Sequence, residues 1–97
     1  MNMNMIMKKA QEMQKNMNKT KEEVAKQTFN SKQQLVEVEV NGNKEVTKIS
    51  INKDITSDDI EMLEDMILIA VNDALSKANS EMEKRLGSIS QGLSGLI

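Results

Sequence analysis

Three hydrophobic periods succeed one another along this chain. From about Met3 to Gln27, the positions Met3, Ile6, Ala10, Met13, Met17, Thr20 and Val24 are spaced 3-4-3-4-3-4. That is a heptad seam held for three repeats. Between them stand mainly Lys, Glu, Gln, Asn and further Met, with no Gly or Pro, and Lys, Glu, Gln and Met are good helix formers. The spacing predicts one helix of roughly 37 Å, at about 1.5 Å per residue. Such a helix is longer than a small domain is wide, so it is expected to project as an arm. Met is flexible, and Ala10 and Thr20 add little to the seam. The arm is therefore expected to pack on a neighbouring helix without forming a strong coiled coil of its own.

The period then changes to two. Leu35-Val36-Glu37-Val38-Glu39-Val40 alternates at Val36, Val38 and Val40, the pattern of a half-buried strand. Asn41-Gly42 follows, a hairpin signal because both residues tolerate positive φ. The return strand runs from Glu45 to Ile51 with Ile49 and Ile51 on one face. Val46 has the opposite parity, so either a bulge intervenes or Val46 faces away. Phe29 and its neighbours, separated from Leu35 by Ser-Lys-Gln-Gln, predict a short first strand and hence a three-stranded antiparallel meander.

A second helical pattern begins at Thr56-Ser57-Asp58-Asp59 and centres on EMLEDMILIAVNDAL, residues 61–75. Asp58 with Glu61 matches a capping box, and several acids sit near the positive end of the helix dipole. Lys84 and Arg85 lie near the other end, and Gly87 is the expected stop. Ile60, Leu63, Ile67, Ala70 and Ala74 line one face; Leu68, Val71, Leu75, Ala78 and Met82 line a second. A helix apolar on two faces needs two surfaces to cover it, and one small sheet supplies one. The second face is expected to be a dimer interface. After Gly87, the tail carries Ile89, Leu93, Leu96 and Ile97 among Gly and Ser, and is either frayed or docked on a partner.

The expected fold is a single α+β domain over 1–97. It comprises a long N-terminal helix (1–27), a three-stranded antiparallel meander (28–52), a long dimer-forming second helix (57–86) and a short C-terminal tail (87–97). Of 97 residues nine are Met and one, Phe29, is aromatic. That core is thin for a monomer and again favours self-association. The chain has no Cys and no His, which excludes thiol chemistry, Cys-ligated zinc and the usual general base. A charged-then-apolar leader is missing, and the apolar run Met66–Val71 is too short to span a bilayer. A cytoplasmic protein without a membrane partner is expected.

The net charge of −2 conceals a strong asymmetry. Residues 1–28 carry +3, residues 29–53 carry +1 and residues 54–86 carry −6. Local fields therefore matter more than the total, and a basic arm on an acidic body can still bind a polyanion.

The order of signals is itself distinctive. A Met- and Gln-rich helix containing KKAQEMQKNM is followed by LVEVEVNGNKEVTKISI and then EMLEDMILIAVNDAL. Over nearly its whole length the chain resembles the YbaB/EbfC family of bacterial nucleoid-associated proteins. The specific part is the Val-Asn-Gly hairpin followed at fixed distance by Leu-Glu-Asp and Asn-Asp-Ala. The resemblance implies a tweezer-like homodimer with an α+β body and protruding helices, binding of double-stranded DNA with little sequence preference, and no enzymatic activity. The chain departs from the family in having Asn52-Lys53 where Asp-Pro is common, an MNMNM start and no Pro.

Lys8, Lys15, Lys19 and Lys26 fall opposite the seam at spacings of 7, 4 and 7. As a solvated face they need no function. As a phosphate-tracking stripe they would neutralise backbone charge and release counterions. On that reading Lys8, Lys9, Lys15, Lys19, Lys21 and Lys26 are the DNA contacts, joined by Lys77, Lys84 and Arg85 near the end of the second helix. Lys suits nonspecific point-charge contact, and the chain holds a single Arg for bidentate base reading. The alternative is a scaffold whose Met-rich arms bind partner helices.

Other chemistry finds little support. Met1, Met3 and Met5 suggest a soft-metal motif, but residues two apart on a helix do not share a face; no metal or other cofactor is expected. Asp58, Asp59, Glu61, Glu64 and Asp65 are explained by helix-dipole complementarity rather than by acid–base catalysis or a calcium loop. Asn72 and Asp73 suit a structural role. A single aromatic leaves little for base stacking. Without a nucleophile–base pair or a phosphate loop, no small-molecule substrate is expected.

Overall fold

A computed structural model describes residues 2–94. Helix α1 spans Met3–Ala25, strands β1, β2 and β3 span Thr28–Lys32, Val36–Asn41 and Val46–Ile51, a 3-10 turn spans Ser57–Asp59, and helix α2 spans Ile60–Ser94. Helix α1 starts because the Asn2 side chain accepts a hydrogen bond from the Asn4 amide at 3.0 Å, satisfying one of the free donors of the first turn. The strands form an antiparallel meander in the order β1-β2-β3, as the period-two alternation predicts.

Val36, Val38 and Val40 are buried beneath α2, together with Leu63, Ala70, Ala74 and Ala78. The three alanines recur every four residues, so a row of small side chains lets the helix lie close on the sheet. The predicted first face of α2 is thus partly right: Leu63, Ala70 and Ala74 are sealed, Ile67 is half-buried, and Ile60 stays exposed.

The register settles the question of Val46. Val36 pairs with Ile51, Val38 with Ile49 and Val40 with Val46, with an irregularity at Glu39/Val40. A bulge therefore returns Val46 to the face of Ile49 and Ile51. All three remain exposed, at 44 to 46%, because α2 lies over β1 and β2 and leaves β3 uncovered.

The hairpin works differently from its sequence signal. Positive φ falls on Lys44 (64°), not on Gly42. Asn41 organises the turn: its Oδ1 accepts from the amides of Asn43 at 2.9 Å and Glu45 at 3.1 Å. Gly42 is needed for clearance, since a Cβ there would lie 1.8 Å from the carbonyl oxygen of Val24. Its amide donates to Gln27 O at 3.1 Å, so the turn is stitched to the end of α1.

Two boundaries of α2 differ from expectation. The cap sits two residues earlier, where the Asp59 carboxylate accepts from the Thr56 amide at 2.8 Å; Asp58 and Glu61 are left exposed. At the far end Gly87 does not stop the helix, which runs on to Ser94. Met82, Leu86 and Ile89 keep a 4-3 spacing and are half-buried. Continued packing there outweighs the roughly 1 kcal/mol that a helical Gly costs. Leu96, Ile97 and Met1 lie outside the described residues.

The molecule is long, 69 × 19 × 12 Å, with a radius of gyration of 19.6 Å against about 13 Å for a compact chain of this size. Helix α2 accounts for roughly 52 Å at about 1.5 Å per residue. The rest is the tip of α1, which packs on α2 with Met13, Met17, Thr20 and Val24 and is exposed from Met3 to Glu12. The seam is thus used only over its second half. Among the described residues no helix is long and apolar enough to cross a membrane.

Candidate nucleic-acid interface

Five lysines of α1, Lys8, Lys9, Lys15, Lys19 and Lys21, and a sixth at its C-cap, Lys26, are all exposed. Among the described residues the ion pairs are Lys77–Asp73 and Arg85–Glu23, so none of the six is paired within the chain. Lys8 to Lys26 covers about 27 Å of helix. Duplex DNA presents one phosphate per about 1.7 Å of its axis, so the stripe meets a dense row of charge if laid beside it.

The cations on α2 are placed otherwise. Arg85 Nη2 donates to Glu23 Oε2 at 2.6 Å, clasping the base of α1 to α2. That hydrogen bond is the main reason the Glu23 carboxyl is held below the usual carboxylate range. Lys77 Nζ donates to the carbonyl of Asn30 at 2.8 Å and lies 3.3 Å from Asp73. It thereby engages an acceptor on β1, an edge strand, and charged side chains of this kind protect sheet edges. Asp73 is also held below its ordinary range, first by a hydrogen bond from the buried Ser31 hydroxyl and then by Lys77. Asp73 thus pairs with the lysine that ties α2 to β1. Lys84 is exposed and borders a shallow groove with Phe29, Ser76 and Ser80.

The structural roles of Lys77 and Arg85 escaped sequence reasoning. Their partners lie 47 and 62 positions away, and no local spacing reports such a contact.

The residues expected to form a dimer separate into three groups. Ala78 is fully buried within its own chain, so its side chain has nothing left to offer a partner. Val71, Leu75 and Met82 are half-buried. Leu68 is 62% exposed.

No group of three or more acidic side chains among the described residues is arranged to hold a metal ion. Fold and surface together define a small α+β protein with a lysine-bearing helical arm rising from a half-covered sheet. The chain belongs to the YbaB/EbfC DNA-binding family, whose profile matches residues 1–93. A nucleoid-associated protein of Ligilactobacillus salivarius (strain UCC118) is 38% identical over 99% of this chain and 95% of its own length. One from Chloroflexus aurantiacus (strain ATCC 29366 / DSM 635 / J-10-fl) is 38% identical over the full length of both. A third, from Ruminiclostridium cellulolyticum, is 39% identical over 98% of this chain and 85% of its own.

Proposed function

We propose that the protein binds double-stranded DNA as a homodimer, through phosphate contacts from its helical arms and with little sequence preference, in the nucleoid of the cytoplasm. The observation that carries this reading is the arm itself: five exposed lysines on one helix and a sixth at its C-cap, none ion-paired within the chain among the described residues. Lys8, Lys15, Lys19 and Lys26 form the contact stripe, with Lys9 and Lys21 on other sides of the arm and Lys84 as outlying contacts. Arg85 and Lys77 act mainly inside the fold. The one guanidinium able to read a base edge bidentately is committed to Glu23, which favours contact without sequence preference.

Self-association is supported by the uncovered apolar surface. Val46, Ile49 and Ile51 on β3 and Ile60 and Leu68 on α2 are 44 to 62% exposed. A monomer in water would leave that surface wet, and a second copy placed against it, with Val71 and Leu75 beneath, would remove it from solvent.

Titration of duplex binding with salt tests the proposal. Log affinity should fall linearly with log salt on a duplex of arbitrary sequence. Absence of binding at low salt would instead favour the scaffold reading, which the exposed Met3, Met5, Ile6 and Met7 of the arm tip support.

A further inference from the structure

The long axis separates two surfaces of opposite charge. At one end is the tip of α1, where Met5, 61% exposed, shares a face with Lys8, Lys9 and Glu12, while Met3 and Met7 lie exposed on the opposite side of the helix. At the other is the outer face of the first turns of α2, where Met62, Asp65 and Ile69 succeed one another at spacings of 3 and 4, preceded by Asp58 in the 3-10 turn. That spacing makes one stripe, acidic and apolar in alternation. All four side chains are exposed, Met62 at 42% and Ile69 at 55%. The stripe points away from the sheet, which takes Leu63, Ala70 and Ala74, and lies about a quarter turn from Leu68 at roughly 100° per residue. It is therefore separate from the apolar surface assigned above to the dimer.

We infer that the tip of α1 docks on the Asp58–Met62–Asp65–Ile69 stripe of another copy of this chain. Both surfaces carry thioether or aliphatic side chains flanked by charges of complementary sign, so apolar burial and ion pairing act on the same contact. Within one chain the two cannot meet, because α2 lies between them along an axis of 69 Å. The contact joins unlike surfaces and does not close on itself, so it adds copies in open chains. Attraction between exposed charges is screened by salt, which makes assembly strongest at low ionic strength. Lys8 and Lys9 would then serve either a neighbouring chain or a polyanion, but not both at once.

Sedimentation velocity without nucleic acid tests this, and failure here leaves the duplex titration unaffected. Between about 10 and about 500 μM, a range suited to a contact this small, the weight-average sedimentation coefficient of the intact protein should rise with concentration in low salt. In about 0.5 M salt the rise should vanish. The pairs Lys8→Glu/Lys9→Glu and Asp58→Lys/Asp65→Lys should each abolish it, and mixing the two variants should restore it, because each then offers the other a complementary surface. Met62→Ser/Ile69→Ser, which leaves charge unchanged, should also weaken it, and circular dichroism verifies folding of every variant. A wild-type coefficient that does not rise with concentration in low salt overturns the inference. So does a mixture of folded charge variants that fails to recover.

Discussion

Glu23 and Arg85 are 62 positions apart in sequence and 2.6 Å apart in space. The contact clasps the last turn of α1 to α2, at the point where the arm leaves the body. Arg85→Ala should leave the sheet and α2 folded while loosening the base of the arm. Hydrogen exchange should show faster amide exchange over the last two turns of α1 and unchanged protection in β2. Because Arg85 is engaged within the fold, the same variant should shift the salt slope of duplex binding less than removal of an arm lysine does.

The two lowered carboxyls set an acid limit on stability. Glu23 is held down chiefly by Arg85 and Asp73 chiefly by Ser31. A carboxyl with a folded-state pKa below its unfolded value contributes its full stabilisation above the unfolded value, and loses it as pH falls through the folded one. Melting temperature should therefore be nearly level from pH 7 down to about 5 and decline below about 4. A Glu23→Gln/Asp73→Asn variant should be less stable than wild type at neutral pH and should approach it as the solution is acidified. A gap that stays constant with pH would argue against these carboxylate contacts as its source.

Reversing Lys8, Lys15 and Lys19 to Glu together should preserve helix content and the sedimentation of the proposed dimer at high salt, since exposed substitutions usually cost about 0.5 kcal/mol or less. Duplex binding should collapse and its salt slope should flatten. A folded triple variant that holds DNA as tightly as wild type would remove the stripe from the mechanism and direct attention to Lys84.

Leu68→Glu should act on assembly rather than on folding. Leu68 is 62% exposed in the chain, so a carboxylate there stays hydrated in a monomer and becomes costly only when a partner covers it. The variant should keep its helical circular dichroism and sediment as a smaller species than wild type at micromolar concentration. Wild type already monomeric under those conditions would refute the assignment.

The two glycines with described surroundings should respond to alanine in opposite directions. Gly87 lies in a helix, and a Cβ there meets nothing within 4 Å; Gly87→Ala should stabilise by about 0.5 to 1 kcal/mol. At Gly42 the added Cβ would press on the Val24 carbonyl. Gly42→Ala should destabilise by about 3 kcal/mol, the upper end of the usual cost of overpacking. Chemical denaturation of both variants would measure the difference.

What the sequence determined by itself is what periodicity can carry. The 3-4 seam of α1, the Val36-Val38-Val40 alternation and the apolar run of α2 each report which way neighbouring side chains point, because backbone geometry repeats locally. Element types, their order, the meander and the exposed lysine stripe were legible on that basis. The motif order was specific enough to identify the family.

Tertiary structure decided what depends on distant residues. Whether Gly42 serves a positive φ or a close approach depends on where α1 ends above it. The parity of Val46 depended on a bulge opposite Glu39/Val40. Gly87 was passed over because Leu86 and Ile89 find cover on either side of it. Ala78 went to the core rather than to the second face of α2, since α2 needs small side chains along its whole contact with the sheet and α1. Lys77 and Arg85, indistinguishable by spacing from free surface cations, became ties to β1 and α1. Such contacts arise from the path of the chain, and a local pattern contains no record of that path.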